Sequence, residues 1–588
     1  MSLDRRDLLK GALLTATTGV LAGPQIAAAT ANEAQGGQPM MIDVNVSLFQ
    51  WPFRRLADDA PDELVARLKS LGVTQAWAGS FEGILQRDVA GVNARLAEAC
   101  RKHAGFLQPF GTVNVTLPDW EEDVRRCHAD HAMPGIRLHP NYHGYTLDDP
   151  RFEKLLTLAG ERGLLVQLAV SMEDTRTQHE TWQAADVDLS PLPAILARTS
   201  QTHVLLLNHK LRGPLLAKLA ASPQVSFDTA RVDGTDGITA LLKAVPESRV
   251  MHGSHAPFLL GEAAMIKLAE NELVDPRCRQ LLTDNAHQLL SDHVNRTAEK
   301  RPKRSRSVQS EPATGRTTQT GLTSDEVWDS YFWPTAPSFV AEIERLLPVL
   351  DLAHFRRVCL SLHVGLGTAD AETERRVHTN PDSVLEPLKR WPDRVLGFIQ
   401  LNANDVPGSL AALNRWLKDG PMLGVCFPGS GKASLACNHA NFDPLVERIQ
   451  ELGGIIMQHT WFKTGGKDHP GGSTPAELAE LAARHPGQKF IAAHAGGEWE
   501  KGIRAVRSQP NVLVETSGFD ATSGFIDVAV RELGAERIVF GSHLPGRSLG
   551  TELGKVLGAK LTDAERQLIL AGNLQRLLRP VMNGKGLA

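Results

Sequence analysis

The chain lacks three features that would have set its class at once: paired cysteines, a strong net charge and a long apolar run in its main part. Its six cysteines form no Cys-x-x-Cys pair, which excludes zinc-ribbon and disulfide-scaffold patterns. We therefore expect the cysteines to be buried apolar fillers. The formal net charge of −4 at pH 7 argues against nucleic acid as a partner, because nucleic-acid binding calls for basic surfaces.

The N-terminus resembles a twin-arginine export signal. Asp4-Arg5-Arg6-Asp7-Leu8-Leu9-Lys10 is followed by an apolar run over 11–23 and by the small residues of 27–29. Such segments are removed and carry no fold information. We predict a signal peptide over 1–31 and an exported, periplasmic bacterial protein, with a chance arginine pair as the alternative. No later stretch reaches the roughly 18 apolar residues of a membrane span, so we expect none in the mature chain.

The sequence repeats itself. Gly-Ser-His-x-Pro occurs around His255 and again around His543, 288 residues apart. The run that ends at His209 matches the run that ends at His494 at an offset of 285, and the run after Gly163 matches a later one at 291. Three pairs in the same order indicate an internal duplication, which decides the architecture of the whole chain.

Each copy alternates strand-like apolar runs with helical segments about eight times, and its third strand is predicted at 111–115 in the first copy. Alternating β and α units over about 250 residues predict a parallel sheet, and eight units predict a (β/α)8 barrel. The predicted fold is α/β, two tandem (β/α)8 TIM-like barrels. We assign the first barrel to 40–296, a polar, basic linker to 297–323 and the second barrel to 324–582.

Several fragments together resemble one family. They are the Asp-led first strand at Asp43, Gly135-Ile-Arg-Leu-His-Pro, the Gly-Ser-x-x-Pro eighth strands, and a closing helix led by Asn285 or Asn573. In this order they resemble the amidohydrolase-related branch of the amidohydrolase superfamily, which contains aminocarboxymuconate-semialdehyde decarboxylase and pyrone-dicarboxylate lactonase. The resemblance implies an enzyme, either a hydrolase or a carboxy-lyase, acting on a small carboxylated, lactone or amide substrate.

The resemblance also implies a divalent metal, but the family's ligand positions are changed. The two first-strand histidines of Asp-x-His-x-His are replaced by Asn45 and Ser47 in the first copy. In the second copy they are replaced by Tyr331 and Trp333. His255 and His543 stand where the family has an aspartate, and the first copy offers only Leu168 or Ala169 for the fifth-strand ligand.

The second copy keeps three histidines where strands five, six and eight end, and these ends face one mouth of a barrel. His459, His494 and His543 are candidate ligands for one divalent ion, most simply zinc. Alternatively His543, with a pKa near neutrality, acts as a general base without metal, as the lactonase branch permits. The predicted catalytic residues are His543, His494 and Glu515. The third alternative is a degenerate barrel whose histidines have no catalytic role.

Substrate-binding candidates come mainly from the first copy. They are Arg137, His139, His209 and His255, with Arg547 from the second copy. An arginine can hold a carboxylate through two parallel hydrogen bonds, but ion pairing with neighbouring acids is the favoured alternative for both arginines. The polar segment 172–179 is either a substrate loop or solvated surface.

These observations lead to one hypothesis and one alternative. The hypothesis is an exported hydrolase or decarboxylase whose second barrel is catalytic and whose first barrel shapes an interface or binds substrate. The alternative is a non-catalytic tandem barrel that binds a ligand or scaffolds a complex. Either leaves a homo-oligomer open.

Overall fold

The computed structural model describes residues 41–179, 181–298, 323, 325–333, 339–363, 381–428, 435–462 and 472–587. The predicted signal peptide lies outside the described residues, as does the linker except for its ends.

The first barrel is a closed parallel sheet whose strands follow one another in chain order. The sheet closes where the His255 N–H donates to the carbonyl of Asn45 at 2.8 Å. In the described residues its strands are β1 (Ile42–Leu48), β2 (Gln75–Ser80), β3 (Leu107–Thr112), β4 (Gly135–Leu138), β5 (Leu165–Ala169), β6 (Val204–Leu207), β7 (Val225–Asp228) and β8 (Val250–Met251).

Helices surround this sheet. They are α1 (Pro61–Ser70), α2 (Val89–Lys102), α3 (Trp120–Ala129), α4 (Pro140–His143), α5 (Pro150–Glu161), α6 (Leu192–Leu196), α7 (Gly213–Ala220), α8 (Gly237–Ala244), α9 (Gly261–Glu272) and α10 (Cys278–Ala298). Helix α1 shows why they form: proline occupies its first position, where its missing N–H costs nothing. Acidic residues lie in its first turn and basic residues in its last, which suits the helix dipole.

The second barrel repeats this plan and closes where the His543 N–H donates to the carbonyl of Tyr331 at 2.8 Å. In the described residues its strands are β9 (Val327–Phe332), β10 (Phe355–His363), β11 (Val395–Gln400), β12 (Gly424–Phe427), β13 (Ile455–Trp461), β14 (Phe490–Gly496), β15 (Val512–Glu515) and β16 (Ile538–Val539). Its helices are α11 (Phe339–Leu352), α12 (Pro381–Arg390), α13 (Val406–Ala412), α14 (Phe442–Glu451), α15 (Pro475–Arg484), α16 (Trp499–Val506), α17 (Phe525–Leu533), α18 (Leu549–Leu557), α19 (Asp563–Gln567) and α20 (Asn573–Gly584).

The predicted fold class, two tandem (β/α)8 barrels, is confirmed. One strand was misplaced: the run at 111–115 begins where β3 ends, because β3 covers Leu107–Thr112. The residues from Leu107 include a glutamine and a proline, which hid the strand from a search for apolar runs.

The two barrels meet along α9 and α18, which pack directly against each other. Nearly every residue of both helices is buried. A Cβ atom at Gly550 would lie 2.5 Å from the Ala263 carbonyl oxygen, and one at Gly554 would lie 2.5 Å from the Ala263 Cα. The close approach of the two backbones therefore requires glycine at both positions.

Strand pairing corrects the internal alignment by one residue. Val166 pairs with Val204 in the first barrel, and Ile456 pairs with Phe490 in the second. In both barrels the residue four positions after the sixth-strand partner, Asn208 or His494, has a positive φ. Asn208 is therefore the counterpart of His494, and the offset is 286, not 285. A slip of one residue moves a strand side chain to the opposite face, so His209 does not occupy the place of His494.

All six cysteines are free and buried, which confirms their role as apolar fillers. Within the described residues, no helix is long and apolar enough to cross a membrane.

Candidate active site in the second barrel

A histidine and a carboxylate lie side by side in the second barrel, at the ends of β14 and β15. His494 Nδ1 is 3.4 Å from Glu515 Oε2. The backbone N–H of His494 donates to the same oxygen at 2.9 Å. The Ser517 N–H donates to Glu515 Oε1 at 2.6 Å. Both side chains are buried. The carboxylate is thus fixed from both sides and holds the imidazole in one orientation.

The tautomer of His494 follows from its neighbours. Nδ1 lies 3.1 Å from the Ser517 carbonyl oxygen, which only accepts, so Nδ1 carries the proton and Nε2 is the basic nitrogen. Burial acts to raise the pKa of Glu515, but hydrogen bonds and charge attraction from His494 outweigh it, and the pKa lies below its ordinary value. The pair is therefore a charged carboxylate 3.4 Å from an imidazole whose Nδ1–H donates to the Ser517 carbonyl.

Aromatic rings surround His494. The Tyr331 ring centroid is 4.8 Å from that of His494 and 5.2 Å from that of His543. The His459 ring centroid is also 4.8 Å from that of His494. The three predicted histidines are thus brought together, and His459 is half-buried whereas His494 is buried.

His543 differs from the expectation in its protonation. Burial, together with the nearby His494 and Arg547, lowers the pKa of His543 from 6.5 to about 3. The prediction of a pKa near neutrality is therefore wrong, because a buried imidazole loses the hydration that stabilises its charged form. At pH 7 His543 is a neutral polar group of the site.

The residues present do not fit the predicted zinc site. Tyr331 stands at a family ligand position, and its ring packs against two of the three candidate histidines. The nearby Asp329 carboxylate accepts from the Ser542 and Tyr331 N–H groups. Within the described parts of the chain, no group of three His, Cys, Asp or Glu side chains is arranged to hold a metal ion.

The first barrel has a different polar network at the equivalent position. Asn45 Nδ2 donates to Asn208 Oδ1 and to Asp228 Oδ2, both at 2.7 Å. The Asn208 N–H donates to Asp228 Oδ1 at 3.0 Å, as the His494 N–H donates to Glu515. Burial raises the pKa of Asp228 to about 7. An amide replaces the imidazole, so this network has no side chain at that position that could accept a proton as a base.

Arg137 is structural. Its guanidinium lies inside the first barrel and donates to Gln167 Oε1, to the carbonyls of Val46 and Trp77, and to Ser47 Oγ. Its residue is 2% exposed, and burial lowers its pKa to about 9. The prediction that Arg137 binds a substrate carboxylate is therefore corrected: neutral protein acceptors already take up its donors.

The mouth of the first barrel is filled. His255 Nε2 donates to the Met172 carbonyl at 2.8 Å, so the start of the 172–179 segment folds over the strand ends. Trp51 packs edge-on against Phe258 and Phe81 at 5.0 and 5.3 Å. These rings and Met172 form one buried cluster with Ala169, the last residue of β5. The segment is thus partly a cover for the mouth.

The remaining candidates are dispersed. His139 caps the N-terminus of the short helix α4, and burial, with the nearby His143, Arg137 and His255, lowers its pKa well below the ordinary value. His209 lies outside the β6–β7 wall, where its ring contacts Phe227 at 5.5 Å. Arg547 pairs with Asp233 of the first barrel and lies 3.5 Å from Asp520. Ion pairing, the second reading of Arg547, is the one that the structure shows.

Sequence reasoning missed the residues that line the site or join the barrels. Tyr331 and Trp333 were noted only as lost ligands, although their rings stack at 5.6 Å. Asp233 and Asp520 each follow a seventh strand and each bind the opposite barrel. Their common spacing from the strand end could have revealed them.

The chain matches one known protein family in both barrels. The family model described as "Amidohydrolase" matches residues 50–291 and 332–579, more than half of the chain. The chain belongs to this family. The match confirms the predicted amidohydrolase relationship and, with it, an enzyme of the hydrolase or carboxy-lyase type. A comparison with curated proteins gave no match.

Solved structures include similar chains. The 5-carboxyvanillate decarboxylase from Sphingomonas paucimobilis is 15% identical, with a TM-score of 0.34 over 44% of this chain and 99% of its own. The 2,6-dihydroxybenzoate decarboxylase from Rhizobium is 17% identical, with a TM-score of 0.36 over 45% and 99%. The dihydroxybenzoic acid decarboxylase from Polaromonas sp. JS666, with bound manganese and 2-nitroresorcinol, is 18% identical, with a TM-score of 0.36 over 45% and 98%.

Proposed function

We propose that the second barrel is a hydrolase or decarboxylase of a small carboxylated, lactone or amide substrate, and that His494 oriented by Glu515 transfers the proton. The observation that carries the proposal is the 3.4 Å contact between His494 Nδ1 and Glu515 Oε2. A histidine with a fixed tautomer and a charged partner is the usual arrangement of a general acid–base group.

The same pair serves either reaction. In hydrolysis, His494 Nε2 takes a proton from water as the water attacks the carbonyl carbon, and returns it to the leaving oxygen or nitrogen. In decarboxylation, the electrons of the broken C–C bond stay on the substrate carbon as CO₂ departs, and His494 Nε2, protonated beforehand by solvent, supplies the proton to that carbon. In both, Glu515 stabilises the charged imidazole, and His459 and Tyr331 line the site.

This chemistry needs no metal, and metal content is the first test. We expect the purified mature protein, prepared without chelators or metal-binding tags, to be folded and to carry less than 0.1 equivalent of divalent ion. About one equivalent of zinc or another divalent ion, lost on His459→Ala, would contradict the metal-independent assignment.

Turnover is the second test. Lactones would be screened first, then amides, then aromatic acids by release of CO₂. His494→Gln should lower kcat by roughly 100-fold or more with an unchanged melting temperature. The control is His354→Gln, an exposed histidine before β10, at the end of the barrel opposite the strand C-termini, which should keep full activity. Equal rates in both variants would sink the proposal.

For the first barrel we propose a supporting role. Its filled mouth and its asparagine in place of His494 favour a unit that has lost catalysis and kept its fold. If no substrate class shows turnover dependent on His494, the assignment of catalysis to His494 and Glu515 is wrong.

We also propose export by the twin-arginine route. The support is the sequence Asp4–Lys10 with the apolar run behind it. Replacing Arg5 and Arg6 by lysine should leave the precursor in the cytoplasm of a bacterial host, measured by fractionation. Unchanged export would refute the assignment.

A further inference from the structure

A segment of the first barrel reaches the candidate site of the second. The segment follows β5 and covers residues 171–179. Its Arg176 Cζ lies 4.9 Å from the centroid of the Trp461 ring, and Trp461 is the last residue of β13. The Trp461 ring centroid is in turn 5.8 Å from that of His494. The guanidinium is therefore one aromatic ring away from the imidazole to which we assign proton transfer.

The Trp461 indole is held by its own barrel along one edge only. A Cβ atom at Gly497 would lie 2.4 Å from Cε2 of the indole, so the ring packs directly on the Gly497 backbone. The Trp461 backbone N–H donates to the Ser473 carbonyl at 2.9 Å. Trp461 is neither fully buried nor fully exposed. The position of its ring therefore depends on the few groups that touch it, and the cation of Arg176 over the ring is attracted to the π-electrons.

Arg176 is itself fixed by ion pairs between the barrels. Its Nε donates to Asp174 Oδ1 at 3.0 Å and its Nη2 to Asp174 Oδ2 at 2.7 Å, the two-point geometry of arginine with a carboxylate. Asp174 is 7% exposed and lies 3.7 Å from Lys210. Lys210 Nζ donates to Asp520 of the second barrel at 2.9 Å. The side chain over Trp461 is thus anchored on both barrels.

A second arginine of the first barrel makes the same kind of contact. Arg54, which follows β1, places its Cζ 5.5 Å from the centroid of the Trp499 ring. Arg54 Nη1 also donates to the Ser523 carbonyl at 2.6 Å. Trp499 begins α16, shortly after His494 in the chain. Two arginines of the first barrel therefore lie over two tryptophans of the second, one on each side of His494 in the sequence.

We propose that Arg176 is a positioning residue for the site of the second barrel: held by Asp174, it fixes the Trp461 indole against His494, so that the site is complete only when the two barrels are paired. Groups that act on a substrate need neighbours whose own positions are fixed. The catalytic consequence rests on the proposed function, whereas the position of the indole does not. The supporting role of the first barrel thus takes a physical form, a wall of the site on the other barrel.

The first measurement follows the indole without a substrate. The full mature chain is labelled with 5-fluorotryptophan, and Trp461→Phe identifies one of the fluorine NMR signals of its ten tryptophans by removing it. Arg176→Ala should shift and broaden this signal, because the indole loses the cation over its ring. The matched control is Arg415→Ala, since Arg415 Cζ lies 4.8 Å from the Trp416 ring centroid in the connection that precedes β12. It should leave the Trp461 signal unchanged.

The second measurement asks whether the indole shields His494. Diethyl pyrocarbonate acylates neutral imidazoles that solvent reaches, and mass spectrometry of the peptide that contains His494 gives the rate. Arg176→Ala should raise this rate by about fivefold or more, because the wall opens locally, and Arg415→Ala should not. The Arg176 side chain is 55% exposed, so the variant should fold with an unchanged melting temperature.

A third measurement applies once a substrate is found. Arg176→Ala should raise KM by roughly tenfold and change kcat by less than about threefold, because the wall is loosened while His494 and Glu515 remain. Equal KM values in Arg176→Ala and Arg415→Ala would exclude Arg176 from the site.

Two further results would overturn the proposal. An unchanged Trp461 signal in Arg176→Ala would show that the arginine does not hold the indole. A shifted signal with an unchanged rate of His494 acylation would show that the indole does not shield the imidazole. Neither readout uses turnover. Failure of the proposed function alone would therefore leave both results as expected, with no turnover that depends on His494.

Discussion

The two barrels share a backbone plan but use their central polar position differently. In the first, Asn208 and Asp228 belong to a buried network with Asn45. In the second, His494 and Glu515 occupy the same positions. In each barrel the backbone N–H of Asn208 or His494 holds the carboxylate, and the side chain of that residue is an amide in the first barrel and an imidazole in the second. A duplicated fold can thus keep its geometry while one copy retains the basic group and the other replaces it.

We expect the largest difference between the barrels when the carboxylate of each copy, Glu515 or Asp228, is replaced by its amide. Glu515→Gln should lower kcat on the substrate identified by screening by roughly 100-fold or more, because an amide no longer stabilises the imidazolium. Asp228→Asn should leave kcat unchanged, since no base of the first barrel takes part in the proposed reaction. It should lower stability, because the amide NH₂ replaces an oxygen that accepts a hydrogen bond. Equal losses in both variants would show that the barrels do not differ in this way.

The second comparison concerns the barrel interior, where strand pairing makes Arg137 the counterpart of Cys426. Arg137→Met should lower the free energy of unfolding by about 3 kcal/mol, because several buried acceptors lose their donor. Cys426→Ala should cost about 1 kcal/mol, the loss of one small buried group. Urea denaturation of both variants measures the difference, and a smaller cost for Arg137→Met would contradict the structural role.

The third comparison concerns the pH dependence of stability, in which we expect the two barrels to behave alike. Burial lowers the pKa of His255 and of His543 to about 3, so the stability that each neutral ring contributes is present above pH 6.5 and is lost as pH falls toward 3. His255→Gln and His543→Gln should each flatten the fall in unfolding free energy between pH 6.5 and 4.5. The change should be at most about 1.4 kcal/mol per pH unit. A flattening in one variant only would show that one ring is not buried in its neutral form.

The last comparison concerns the reactivity of the cysteines, in which we expect no difference between the two barrels. The six buried cysteines lie three in each barrel, and burial raises the pKa of Cys100 and Cys437 to about 12. Thiolates are the reactive form, so a thiol reagent should modify no cysteine of the native protein and all six after unfolding. Rapid labelling in one barrel alone would show that this barrel opens more easily.

The repeats and the periodicity of the sequence were enough to predict much of the fold. The two Gly-Ser-His-x-Pro segments and the alternation of strands and helices were sufficient for two (β/α)8 barrels, since both depend on local sequence. The misplaced third strand shows the limit, because a strand that begins Leu107-Gln-Pro is recognised only by the neighbours with which it pairs.

The sequence by itself determined the duplication, the barrel class, the burial of the cysteines and the grouping of His459, His494 and His543 at one mouth. Only the tertiary structure decided that Asn208, and not His209, is the counterpart of His494, because register is set by pairing between strands. It also decided that Arg137 is satisfied by protein acceptors and that burial keeps His543 neutral. Each of these depends on contacts between residues far apart in the chain, and composition and spacing do not contain such contacts.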